Sequence, residues 1–203
     1  MAVSRAEYKI EGAVSAFNFD FRGKTVLDIG SSTGGFTEFA LASGALKVVA
    51  VEKGVRQMKA PLRFDSRVEL HEKTDIFDVV AEGCKNVKTV GADGLVDEKV
   101  VIPLPDVILA DVSFISLKPV LAYVKKYLAS AKTEFLVMMK PQFEALDSQL
   151  NRGVVKNEKM RREIIRNFED WLKHNGFIIK QKRDNELAGK KGNVERFYCL
   201  SMV

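Results

Sequence analysis

Asp28-Ile29-Gly30-Ser31-Ser32-Thr33-Gly34-Gly35-Phe36-Thr37 decides the fold of this chain. Ahead of it, Lys24-Thr25-Val26-Leu27 supplies a strand. Behind it, Phe36, Phe39 and Ala40 recur at helical spacing and Gly44 ends the helix. The stretch therefore reads as a strand that stops at a glycine-rich turn and restarts as a helix. Glycine lets the backbone approach a ligand closely, and a helix N-terminus offers unpaired N–H groups to a polar or anionic group. A ligand with a nucleoside-like head suits such a turn.

Four motifs overlap here. A dinucleotide fingerprint G-x-G-x-x-G needs glycine where Ser32 stands, and a phosphate-binding P-loop needs lysine where Phe36 stands. The nucleophile elbow G-x-S-x-G is present as Gly30-Ser31-Ser32-Thr33-Gly34. Its triad, however, wants a histidine on a late loop. The histidines are His71 and His174, and His174 lies at the end of an amphipathic helix. The fourth pattern, D-x-G-x-x-x-G-G opening an S-adenosylmethionine site, is satisfied by Asp28, Gly30, Gly34 and Gly35. Ser31, Ser32, Thr33, Phe36 and Thr37 complete that candidate cofactor turn.

The next strand supports this reading. Lys47-Val48-Val49-Ala50-Val51 is a buried-strand run ending in Glu52, at the spacing where an acidic side chain hydrogen-bonds both hydroxyls of a ribose. One strand later, Arg67-Val68-Glu69-Leu70-His71 leads to Asp75, where such folds contact the base.

Composition bounds the rest. With 203 residues, 46% of them hydrophobic, and alternating strand and helix patterns, the chain reads as one α/β domain spanning 1–203. No signal core or membrane-spanning run is visible. Cys84 and Cys199 fit neither a metal site nor a disulfide framework, so free thiols in a reducing cytoplasm are expected. A net charge of +5 suits a nucleic-acid partner without requiring one.

Periodicity gives the order of elements. A first helix opens with a capping box, Ser4-Arg5-Ala6-Glu7, and buries Ile10, Ala13, Val14 and Phe17. After the three strands above come a fourth, 106–110, and a fifth, 133–139. Between them lies a helix capped by Ser116, with Pro119 in its first turn. A last helix carries Met160, Ile164, Ile165, Phe168, Trp171 and Leu172 and stops at Gly176, before a terminal strand pair, 177–182 and 194–202. The spacing in 76–105 predicts one helix and one short strand.

In a parallel sheet, function collects at the carboxyl ends of the strands. Those ends carry Gly30, Glu52, Asp75, Asp111 and Lys140. A lysine abutting an apolar strand is costly to bury unless paired, and Asp111 is the available partner.

At this point the sequence resembles a known family. Ser4-Arg5-x-x-x-Lys9, the glycine turn, Asp111-Val112-Ser113-Phe114-Ile115-Ser116-Leu117, Lys140-Pro141-Gln142-Phe143-Glu144 and Gly192-Asn193-Val194-Glu195 together look like the TlyA, or haemolysin-A-like, rRNA methyltransferases. These are related to the FtsJ/RrmJ 2′-O-ribose methyltransferases. The resemblance implies a Rossmann-like class I methyltransferase fold with a seven-stranded, mostly parallel sheet. It also implies S-adenosyl-L-methionine as cofactor, RNA of a ribosomal subunit as substrate, and a Lys-Asp-Lys-Glu tetrad on Lys9, Asp111, Lys140 and Glu195. Bacterial members carry an N-terminal S4-like RNA-binding domain, whereas this sequence starts at the catalytic core.

Chemistry makes sense of the tetrad. A ribose hydroxyl attacking a methyl group must be aligned with it and lose its proton as the bond forms. Lys140 is expected to orient or deprotonate that hydroxyl, Asp111 and Glu195 to hold the lysines, and Lys9 to sit near the substrate ribose or phosphate. Arg152, Lys156, Lys159, Arg161, Arg162, Lys190 and Lys191 could line a phosphate path. The competing readings are a small-molecule methyltransferase, a non-catalytic S-adenosylmethionine-binding protein and a membrane-active haemolysin. A closed apolar pocket would mark the first; an open basic groove marks an RNA enzyme.

Overall fold

The apolar runs assemble into one seven-stranded sheet. The structure is a computed structural model describing residues 5–84, 89–90, 96–97, 99–186 and 192–203. The strands are β1 (Thr25–Ile29), β2 (Lys47–Glu52), β3 (Val68–Glu72), β4 (Val107–Ala110), β5 (Glu134–Met139), β6 (Phe177–Asp184) and β7 (Arg196–Met202). The longer helices are α1 (Arg5–Phe17), α2 (Gly35–Ala42), α3 (Leu117–Tyr127) and α4 (Glu158–His174), and a single helical turn spans Pro141–Glu144. In space the strands run β6-β7-β5-β4-β1-β2-β3. β1 to β5 are parallel, and β7 lies antiparallel between β5 and β6. From β1 the chain winds outward to β2 and β3, then returns to β4 on the other side. That reversal opens a crevice beyond the carboxyl ends of β1 and β4.

Side chains alternate across a strand, and the two faces carry separate cores. Val26, Val48, Val107, Leu109, Leu136, Met138 and Phe197 pack with Ile10, Ala13 and Phe17 of α1 and Phe36 and Ala40 of α2. Leu27, Val49, Ile108, Phe135, Val137 and Leu200 pack with Val120, Leu121 and Val124 of α3 and Ile165, Phe168 and Leu172 of α4. The same alternation runs into the strand ends. Asp28 shares its face with Val26, Asp111 with Leu109, Lys140 with Met138 and Glu195 with Phe197. All four therefore leave the sheet on the side covered by α1 and α2.

Helix starts follow local chemistry. The Ser116 hydroxyl accepts from the Lys118 N–H at 3.2 Å, and the Asn157 side chain accepts from the Met160 N–H at 3.0 Å. Ser4 of the expected capping box lies outside the described residues. The segment 76–105 departs from expectation: its described residues contain no α-helix. They form a 3-10 turn (Ile76–Asp78), a parallel pair of Val79–Ala81 with Val100–Ile102, and a short antiparallel pair of Thr89–Val90 with Val96–Asp97. Strands of two or three residues are too short to display a period, which is why the pattern misleads.

A hairpin of Leu150–Asn151 and Val154–Val155 packs beside the entrance to β7. Buried Asn193 joins the two, accepting from the Val155 N–H at 3.1 Å and donating to the Gly153 carbonyl at 3.0 Å. Asn193→Ala removes both bonds. The expected loss is about 1–2 kcal/mol of unfolding free energy, read as a lower urea midpoint at unchanged slope.

Candidate active site

The turn after β1 depends on backbone conformations that side chains resist. Gly30 has φ +78°, and a Cβ there would lie 3.0 Å from the Asp111 carbonyl oxygen. Gly34 has φ +95°, and its Cβ would collide with Leu62. The first glycine lets the turn lie against the end of β4, and the second lets α2 start beneath Leu62 and Met58.

Asp28 is fully buried beneath this turn. Its Oδ2 accepts from the Thr37 hydroxyl at 2.6 Å, while Asp28 Oδ1 and Ser31 Oγ are buried without a hydrogen-bond partner among the described residues. Burial pushes the Asp28 carboxyl up to about 7. The Thr37 bonds pull it down, and the negative charges of Asp111 and Glu52 add to the rise.

Glu52 ties β2 to the glycine turn. Its Oε2 accepts from the Ser32 N–H at 2.8 Å; its Oε1 accepts from the Gly54 N–H at 2.7 Å and from Gln57 Nε2 at 3.1 Å. A carboxylate offers about four acceptor sites, so Glu52 keeps roughly one free, and a two-point ribose grip displaces Gln57. Asp75 opens the turn after β3, accepting from the Phe77 N–H at 3.2 Å and from Lys53 Nζ at 2.9 Å. Burial raises its carboxyl, but Lys53 and the Phe77 N–H outweigh that and hold it below the usual range.

Gly30, Ser32, Glu52, Asp75 and Asp111 line one cleft of about 630 Å³, together with Gln57, Phe77, Ser113 and Phe114. That volume suits a small-molecule site. The other candidates of the turn lie elsewhere. Thr33 is exposed, Asp28, Ser31, Gly34, Gly35 and Thr37 are buried behind the lining, and the Phe36 ring sits in the core 6.1 Å from that of Phe197.

The tetrad is arranged as two pairs. Lys140 Nζ lies 2.6 Å from Asp111 Oδ1 and donates to the Ser113 hydroxyl at 2.7 Å. Lys9 of α1 is ion-paired with Glu195, which is buried and also receives Asn185 Nδ2 at 3.5 Å. Arg196 faces Met139 in the β5–β7 ladder, so one further step sets Glu195 opposite Lys140. The two pairs thus occupy adjoining strand ends.

Sequence reasoning missed three functional candidates. Gln57 is a polar loop residue with no pattern to single it out, whereas Ser113 lies within the family motif at Asp111–Leu117, which was the signal that could have found it. Phe114 has φ +65° and is 92% exposed, its ring 5.4 Å from that of Phe143. A bulky residue held in that region costs about 1–3 kcal/mol. Its place on the cleft rim makes it a candidate ligand contact. Behind it, the Glu144 carboxylate accepts from the Ser116 hydroxyl at 2.7 Å and the Leu117 N–H at 2.6 Å. That clamp locks the 111–117 loop to the turn following Lys140.

Of the basic residues on the proposed phosphate path, Arg152, Lys159 and Arg162 are exposed. Arg161 is committed to Asp184 at 2.7 Å and to the Val194 carbonyl, and Lys156 Nζ donates to the Ser148 carbonyl at 2.8 Å. Lys190 and Lys191 lie outside the described residues. No helix among the described residues is long and apolar enough to cross a membrane.

The FtsJ-like methyltransferase family matches residues 2–202. The 23S rRNA (cytidine-2′-O)-methyltransferase TlyA of Campylobacter jejuni is 33% identical over 198 residues, covering 97% of this chain and 69% of that protein. The 16S/23S rRNA (cytidine-2′-O)-methyltransferase TlyA of Mycobacterium tuberculosis is 35% identical over 199 residues, covering 98% of this chain and 68% of that protein. A solved structure of a candidate haemolysin from Streptococcus thermophilus superposes with a TM-score of 0.82 at 30% identity, covering 99% of this chain and 67% of that one.

The cleft fits the cofactor that methyltransferases of this fold use. Glu52, Asp75 and Asp111 line a space suited to a cation, and beneath it Asp28 Oδ1 and Ser31 Oγ are buried polar atoms without a hydrogen-bond partner among the described residues. The raised Asp28 carboxyl yields a pH prediction. Folded Asp28 keeps a proton that the unfolded chain gives up near pH 4, so its contribution to stability falls between about pH 4 and 7 and levels above. Thermal unfolding should therefore show Asp28→Asn gaining on the unmodified protein as pH rises toward 7. S-adenosylmethionine binding, favoured by the ionised carboxylate, should tighten over the same interval.

Proposed function

Because this chain belongs to the FtsJ-like methyltransferase family, we propose that it methylates ribose 2′-hydroxyls of ribosomal RNA, using S-adenosylmethionine. The observation that carries this reading is the pairing of Lys140 with Asp111 and of Lys9 with Glu195, beside an acid-lined cleft. S-adenosylmethionine, when bound, supplies an activated methyl group on a sulfonium. Glu52 would then hold the ribose of the cofactor, while Asp28, Ser31 and the glycine turn would hold the remainder.

Lys140, ion-paired with Asp111, donates one N–H to the Ser113 hydroxyl. A further N–H is available to the incoming 2′-hydroxyl. Lys140 so fixes the oxygen in line and stabilises the negative charge that develops as the new C–O bond forms and the hydroxyl proton passes to solvent at the open cleft. Asp111 and Ser113 keep the lysine from turning away. Lys9, anchored by Glu195 from the opposite side, meets the neighbouring ribose or phosphate. Phe114 offers a face on which a base turned out of its stack can rest.

A small-molecule methyltransferase would close an apolar pocket over the methyl. Here the rim carries the exposed ring of Phe114 and the exposed ammonium of Lys53 instead. The reading takes the chain as a single methyltransferase domain acting in the cytoplasm, where ribosomal RNA is found.

Transfer of labelled methyl from S-adenosylmethionine to purified ribosomal subunits tests the proposal. Lys140→Ala should lower transfer by about a hundredfold or more while cofactor affinity stays within about twofold. Near-normal labelling by that variant would sink the assignment. Phe114→Ala should weaken RNA binding by about tenfold at unchanged cofactor affinity, with thermal stability equal or slightly higher. Filter binding and a melting curve read both effects.

A further inference from the structure

The segment 76–102 has no part in the chemistry above, yet it holds a deeply placed ammonium. The Lys99 side chain is 8% exposed. Burying an ammonium is costly unless its donors find partners. Lys99 Nζ donates to the Phe77 carbonyl at 2.8 Å and to Asp78 Oδ1 at 2.8 Å. The parallel pairing of Val79 with Val100 delivers it there, since one step earlier in that register sets Asp78 beside Lys99.

Phe77 is held from every other direction as well. Its N–H donates to Asp75 Oδ1 at 3.2 Å. Its ring meets Tyr123 edge-on, with centroids 5.2 Å apart, and Tyr127 lies 4.7 Å beyond. The Tyr123 hydroxyl donates to the Val79 carbonyl at 3.0 Å. Phe77 lines the cleft next to Asp75, past Glu52, with Val112 and Ile115 in the same lining. Glu52, Asp75 and Phe77 line the same cleft, so a ligand held by Glu52 can reach the Phe77 wall.

We propose that Lys99 is a positioning residue for the adenine of the cofactor, fixing the Phe77 wall against which the base packs. Lys99 itself touches no cofactor; it acts through the Phe77 carbonyl. The inference rests on the S-adenosylmethionine reading of the cleft and assigns a purpose to the paired strands Val79–Ala81 and Val100–Ile102.

Calorimetric titration of the full chain with S-adenosylmethionine, and separately with adenosine, tests it. Lys99→Met should weaken both ligands by about tenfold, because both carry the base, and Lys99→Arg should recover most of that loss. In turnover the Michaelis constant for S-adenosylmethionine should rise by a similar factor with kcat held. Asp78→Asn, at an exposed partner whose change leaves no cavity, should weaken both ligands two- to threefold. A Lys99→Met protein that melts earlier but binds both ligands as before would overturn the proposal, as would weaker S-adenosylmethionine with unchanged adenosine. Failure of the unmodified protein to bind S-adenosylmethionine would instead overturn the cofactor reading, before any variant is made.

Discussion

The alternation of side chains along the strands is the constraint on which everything else depends. Asp28, Asp111, Lys140 and Glu195 each sit two residues from a core residue that packs toward α1 and α2. A register slip of one residue would turn them toward α3 and α4 and bury them among Val120, Val124 and Phe168. The core and the chemistry are thus set by one periodicity. Because β4 and β5 are neighbours, the Lys140 side chain reaches Asp111 at 2.6 Å across adjoining strand ends. Lys9 reaches the same region from a helix rather than a strand, and its ion pair with Glu195 secures α1 to the sheet at that end.

The site also concentrates strain and charge. Gly30, Ser32 and Phe114 hold positive φ around one cleft, and buried Asp28, without an ion-pair partner among the described residues, is enclosed beneath it. Such features oppose folding and persist where the surrounding structure overrides them. Here the override is visible in specific bonds. Glu52 grips the turn at Ser32, Thr37 holds Asp28, and Glu144 fastens the loop that carries Phe114.

How much of this could be read from the chain differs by type of signal. The strand–turn–helix at 25–42 was legible because an apolar run, three glycines and a helical spacing agree locally. The five parallel strands, the Ser116 cap and the terminal antiparallel pair were legible for the same reason. The segment 76–105 was not, since its strands are too short to alternate visibly and are stabilised by pairing with each other. Within the site, the tetrad came from family motifs, but its division into two pairs is a property of strand neighbours. Gln57, Ser113 and Glu144 act through contacts across 5, 27 and 28 residues, and no local pattern encodes those. Phe36 illustrates the converse. Its place in the motif suggested a ligand contact, while its buried ring packs on Phe197.

The Lys9–Glu195 pair spans 186 residues of sequence. Closing so long a loop is entropically slow, and it requires β7 to insert between β5 and a β6 that precedes it in the chain. During synthesis at about 5–20 residues per second, the glycine turn and the first parallel strands emerge many seconds before Glu195 does. A nascent chain can therefore form the glycine turn and the first parallel strands while Lys9 still lacks Glu195. That pair closes late, when β7 docks and locks down the first helix.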